Sequence, residues 1–335
     1  RNDSRADLQL QGAVLRNFGR PWLGSFFPAR FPAHPISIDI SSAYICSDMD
    51  LAGDTSGALV VKGLLAERSA VAGSVDLNSR FFGPFRMSKL LIIGHLKIGE
   101  LDPVASIDLS ESCILGGVQV GPQEYRSEIV LSSCYIAGDV EFAGSVFNGT
   151  LALQSATIEG SLSLRRVTLN RSAILSDAHV KGDLDLLGAV INGHLECHYM
   201  RISGASDFDH VSLGNTGKIS LVLSLFEGGI SFSDACVKGQ IDIGHVVIAK
   251  DLNCKSTVFD EGVGMNSSYV GGATLFDGSK FRRRLDISKS VFEGEFSLNL
   301  AEVGGAIDVS DSDFLADANF GAGNSGYSKH PPELE

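Results

Sequence analysis

Several features are missing from this sequence. No two cysteines form a Cys-x-x-Cys pair. Cys46, Cys113, Cys134, Cys197, Cys236 and Cys254 are scattered, which favours reduced, buried thiols over a disulfide frame or a zinc site. No apolar run approaches the ~18–20 residues of a helical membrane span, so no transmembrane segment is expected. Cations are outnumbered, 27 Lys and Arg against 40 Asp and Glu, and the formal net charge of −13 disfavours a nucleic acid held by its phosphates. There is no nucleophile elbow and no phosphate-binding glycine loop, and neither a cofactor nor a metal is expected.

Glycine, by contrast, is plentiful: 38 residues spread along the chain suggest one tight turn per repeat. Apolar residues make up 44 % and charged residues 20 %, a composition that can fill a large core. Asn2, Asn148, Asn170 and Asn266 open glycosylation-type triplets, which a serine-rich chain produces by accident. The cytoplasm is the expected compartment. A removed leader and secretion are the alternative, since the chain opens at Arg1 without a methionine.

Residues 149–170, GTLALQSATIEGSLSLRRVTLN, state one eleven-residue phrase twice. Numbered from Gly149, positions 3, 5 and 10 are apolar (Leu151, Leu153, Ile158) and position 8 is small (Ala156). The frame runs back through Gly138, Ser127, Gly116, Ala105 and Gly94. Forward it passes Gly160, Arg171, Gly182, Gly193 and Gly204, expands by two residues near Gly214–Thr216, and resumes at Gly217 to reach Gly305. Ile36 opens a further unit and Ala6 an isolated one; about 25 units fit between residues 36 and 315.

Apolar residues two, three and two apart do not fit a helix, which needs steps of three and four. Two-apart pairs are short extended segments with both side chains inward, and the residues between them turn the chain to a new face. Two units close a coil of roughly 22 residues, and about 12 stacked coils make an all-β rod roughly 60 Å long. Residues 36–320 are assigned to this parallel β-helix, 1–35 to an N-terminal unit with a cap or loop, and 321–335 to a tail.

These residues resemble the pentapeptide-repeat proteins. That family carries A(D/N)LXX, with a small residue and a Leu or Phe pointing into a right-handed, four-sided β-helix. Position 4 matches the family's Asp/Asn slot, with Asp39, Asp108, Asp185, Asp207, Asp242, Asp286 and Asp308 among its occupants. The chain departs in its period of eleven rather than ten and in bulky residues at position 3. A three-sided coil is the alternative. Some members are similar in shape and charge to a DNA duplex and bind DNA gyrase in its place, which the resemblance makes the second functional reading.

The repeat stops between Asn17 and Pro35, a stretch carrying Trp22, Phe26, Phe27 and Phe31. It reads either as a cap over the first coils or as a contact loop. Gly53–Lys62 reads as a bulging loop. The densest reactive cluster, His194-Leu195-Glu196-Cys197-His198, places Cys197 inward and its neighbours outward without good ligands on adjacent coils, so it reads as structural. Asp183, Asp185, Asp207 and Asp209 could form an acidic patch and keep a carbohydrate-binding or carbohydrate-cleaving reading open as the third. Across the two alternating sets of units, the acidic outward residues are Asp185, Asp207, Asp242, Asp286 and Asp308, with Arg282, Arg283 and Arg284 intruding. Position 9 offers an outward apolar ladder, Leu225, Val247, Tyr269 and Val291. The expected function is a non-enzymatic scaffold that binds a protein partner through its faces, with a homodimer as one form and no direct nucleic-acid binding.

Overall fold

The computed structural model describes residues 7–16, 36–51, 61–77, 84–99 and 105–321. These residues are all-β and form a parallel β-solenoid of about 12 turns with roughly 22 residues per turn. Every strand pair is parallel, and strands stack into four sheets of 14, 14, 13 and 9 members, here sheets 1 to 4 in the order the chain visits them. One coil shows the pattern: Leu151–Ala152 in sheet 1, Thr157–Ile158 in sheet 2, Leu162–Ser163 in sheet 3 and Thr168–Leu169 in sheet 4. The section is therefore four-sided here, and sheet 4 begins at Glu124–Tyr125. The isolated first unit belongs to the stack, with Leu8 in register with Ile38 and Leu15 with Ile45.

The core follows the repeat. Leu151, Leu153, Ala156, Ile158, Leu162, Leu164, Val167 and Leu169 are all fully buried. Phenylalanines at inward positions stack face to face on successive coils, as Phe208 does on Phe232 at 4.6 Å and Phe259 on Phe281 at 4.9 Å. The two-residue expansion lies at Gly214–Gly217, where Gly217 N–H donates to the Gly214 carbonyl at 2.9 Å. Sheet 1 keeps its register across it, Leu195 pairing with Ile219. The loop expected over Gly53–Lys62 ends earlier than its sequence suggests. Val61 and Lys62 belong to strand Val61–Leu65, which slips register between Ile36 and Ser37 on its neighbour.

Two turn devices differ from the glycine-turn expectation. The left-handed residue of most half-coils stands at position 7 and is usually not glycine: Ser155 (φ 57), Arg166 (φ 54), Tyr199 (φ 55) and His210 (φ 57). Position-1 glycines meet a different need. A Cβ on Gly149 would lie 2.1 Å from the Ser127 carbonyl oxygen of the coil below, so glycine is there because the coils approach too closely for a side chain.

Position 8 carries a third device. Ser268 Oγ donates to the Ile243 carbonyl at 2.9 Å and accepts from Val246 N–H at 3.1 Å, so one buried hydroxyl ties two coils together. Ser112, Ser224 and Ser290 repeat it. Cys134 stands in the same column and donates its thiol to the Leu109 carbonyl. Burial pushes that thiol up to about 12 and raises Cys197 and Cys254 as well, while Cys46 is exposed and Cys113 and Cys236 are half-buried. All six thiols are free.

Leu153→Asp would place a charge inside the stack, whereas neighbouring Gln154 points to solvent. The first substitution is expected to cost about 4 kcal/mol or more, and Gln154→Asp within ~0.5 kcal/mol. Urea titrations of the two variants check this; equal losses would refute the register.

Candidate interaction face

The outward residues of sheet 2 form one straight column, because each strand pairs with the next without slippage. Leu225 pairs with Val247, Val247 with Tyr269, and Tyr269 with Val291, so the four-residue apolar ladder is continuous. Val247 is 41 % exposed and the other three are half-buried. Two left-handed corner residues, Tyr199 (61 %) and Leu223 (47 %), stand beside it and widen the apolar strip.

The same column continues towards the N-terminus, which the sequence pattern had not suggested. Val14, Tyr44, Ala70, Leu91, Cys113 and Tyr135 lie in register along sheet 2. Beside them, Ile93 and Leu115 are 49 % and 47 % exposed. These two occupy position 11, which reads as turn in the sequence; their signal was apolar bulk at a corner. Between the two apolar stretches lies a polar centre made of Thr157, Glu159, His179, Lys181, Arg201 and Glu227. Its charges are paired on the surface, Lys181 with Glu159 at 2.6 Å and Arg201 with Glu227. Trp22, Phe26, Phe27 and Phe31, the other aromatic candidates, lie outside the described residues.

The acidic candidates do not share a face. Asp185 and Asp207 are neighbours on sheet 3, while Asp242, Asp286 and Asp308 belong to sheet 1, where Gly264 intervenes between the first two. Each has a local task. Asp185, Asp207, Asp242, Asp286 and Asp308 accept the backbone N–H two residues on, at 2.8 to 3.1 Å, and so start the turn that ends in the left-handed residue. Arg284 bridges Asp286 and Asp308 at 3.0 and 2.7 Å, Arg165 approaches Asp185 at 3.5 Å, and Arg282 and Arg283 pair with Asp260 and Glu261. A continuous negative stripe is not what these side chains build.

Asp183 is likewise occupied, accepting Ala205 N–H of the next coil at 2.7 Å, and Asp209 accepts Ser233 N–H at 2.7 Å. Asp185 and Asp207 stand one strand apart, about the ~5 Å of a retaining glycosidase pair. One oxygen of each is committed to its turn, however, and the two strands that carry them run in register with their neighbours. The Asp207 carboxyl is raised above its ordinary range by burial, with the Asp209 and Asp185 charges adding to the shift against the hydrogen bond from Asp209 N–H.

The histidine cluster resolves in the same way. Cys197 is inward and buried, His194 is exposed, and His198 Nε2 meets Ser220 Oγ at 2.7 Å. Among the described residues no group of three His, Cys, Asp or Glu side chains could hold a metal ion. Asn148 and Asn170, two of the glycosylation-type asparagines, belong to an amide ladder in which Asn170 donates to Asn148 at 2.6 Å and Asn192 to Asn170 at 2.8 Å. No helix among the described residues is long and apolar enough to cross a membrane.

Comparison with protein-family models, curated proteins and solved structures gave no match.

Because the folded-state pKa of Asp207 lies above its unfolded value, its negative charge opposes folding. That penalty is fully present above the folded pKa and vanishes as the pH falls below the unfolded one. Asp207→Asn keeps an oxygen for the Asp209 N–H and removes the charge. It should melt at a higher temperature than wild type at neutral pH, and the difference should fade by about pH 3, below the ~3.9 of an unfolded aspartate. Thermal denaturation against pH measures both.

Proposed function

We propose that this chain is a non-enzymatic protein-binding scaffold, a variant of the pentapeptide-repeat solenoid, whose contact surface is sheet 2. The observation that carries the reading is the unbroken outward column on that sheet, with an apolar stretch on each side of a charge-paired centre. A monomeric surface seldom lines up exposed Leu, Ile, Val and Tyr over so long a strip without a partner for it. The polar residues that would support chemistry elsewhere are engaged in turns and coil-to-coil hydrogen bonds. That leaves shape and apolar area as what the surface offers a partner.

Replacing Val247 and Tyr269 together by Lys is the test. Both side chains point outward, so the fold should survive, checked by an unchanged far-ultraviolet spectrum and melting temperature. Binding of the partner recovered from the native host, or self-association, should be lost. A double variant that binds and associates like wild type would remove sheet 2 from consideration.

A further inference from the structure

The two apolar stretches of sheet 2 are complementary to each other, not merely similar. Take the strand of His179 as a midpoint. One strand away on either side stand Thr157 and Arg201, two away Tyr135 and Leu225, three away Cys113 and Val247, and four away Leu91 and Tyr269. Out to the fifth strand on either side, where Ala70 corresponds to Val291, each apolar residue of this column thus has an apolar counterpart in the other half; one strand further Tyr44 corresponds to Asp313. The corner positions add a match in size. Leu115, three strands before the midpoint, corresponds to Ala249, and Ile93, four before, corresponds to Gly271. Large projecting side chains in the N-terminal half therefore meet small residues in the C-terminal half.

From this geometry we infer that sheet 2 binds a second copy of the same chain, the two rods antiparallel about a twofold axis at the His179 strand. The inference rests on the reading of sheet 2 as a contact surface and names its occupant. A twofold axis lying along the strand direction brings each strand onto the one equally far beyond the midpoint, which is the self-complementarity an isologous dimer requires. Near the axis Lys181 of each copy meets its counterpart, each held by its own Glu159, while Arg201, held by Glu227, lies across from Thr157. Placing the rods parallel would instead set Leu225 against Glu227 and Val291 against Glu293. The size is also sufficient. Ten strand spacings at ~4.8 Å and a strip ~14 Å wide give roughly 700 Å² per copy, close to the ~800 Å² per partner of a standard interface. The face is nearly neutral, so the net charge of −13 lies mostly on other sheets, where salt screens it.

A native thiol makes the arrangement testable. Cys113 is half-buried on sheet 2 and faces the Val247 position of the second copy, whereas Cys134, Cys197 and Cys254 are buried. Val247→Cys, in a Cys46→Ser background and treated with oxidised glutathione, should give a covalent dimer. Peptide mapping should join Cys113 of one chain to the introduced thiol of the other. Light scattering should find wild type dimeric at tens of micromolar, and Leu115→Lys, in the opposite half, should weaken the dimer by about tenfold or more. A disulfide between two introduced thiols, or between two Cys113 residues, would overturn the antiparallel arrangement. A wild-type monomer would overturn the inference altogether. If that monomer still bound a host protein in a manner lost on Val247→Lys, the scaffold reading would stand without the dimer.

Discussion

The constraint on which this structure depends is that its main-chain hydrogen bonds run along the rod. Each strand is only two to five residues long, and an isolated pair of this size would not persist. Stability comes from repetition, since every coil satisfies the N–H and C=O groups of the next. Residues in register then stand 22 apart through most of the stack, extra residues being taken up between strands as they are between Arg201 and Leu225, and the side-chain rules follow. Where coils approach most closely, as at Gly149 over Ser127, a Cβ cannot fit. Where the chain must reverse within a few residues, one residue goes left-handed. Where a turn leaves an N–H without a strand partner, a buried serine or an outward aspartate accepts it.

Much of this was legible in the sequence. The inward positions were readable because burial repeats with the same period as the fold, so Leu151, Leu153 and Ile158 declare a face directly. The coil of roughly 22 residues and the two-residue expansion near Gly214–Thr216 follow from counting alone, whereas counting leaves a three-sided and a four-sided section both open, and the four sheets decide between them. The turns were harder. A residue with φ near +57° is read in a sequence as glycine or asparagine, yet here Ser155, Arg166 and Tyr199 adopt it. The stack over-determines the backbone there, and local preference gives way to the hydrogen bonds on both sides.

The outward residues were legible only in part, for a related reason. Outward aspartates look like available charge in a sequence, because nothing in their spacing shows that one oxygen of Asp185 or Asp207 is held by the turn beyond it. The apolar column on sheet 2 was visible where four consecutive coils carry large residues. It was missed from Tyr44 to Tyr135, where Ala70 and Cys113 interrupt the signal and the corner residues Ile93 and Leu115 supply the bulk. A surface assembled from two different positions of a repeat appears only once the coils are laid side by side.

The orientation of the hydrogen bonds also sets how the rod would respond to force. Tension applied across its ends does not shear long sheets; it opens the terminal coil first, one short ladder at a time, like a strip peeled from a stack. Each opening frees roughly 22 residues, enough for ~75 Å of extended chain. The hydroxyl columns through Ser112, Ser224, Ser268 and Ser290 run parallel to that pull and link each coil to its neighbour from within. Under such a pull the stack would lengthen by near-equal increments while its remaining turns keep their faces aligned.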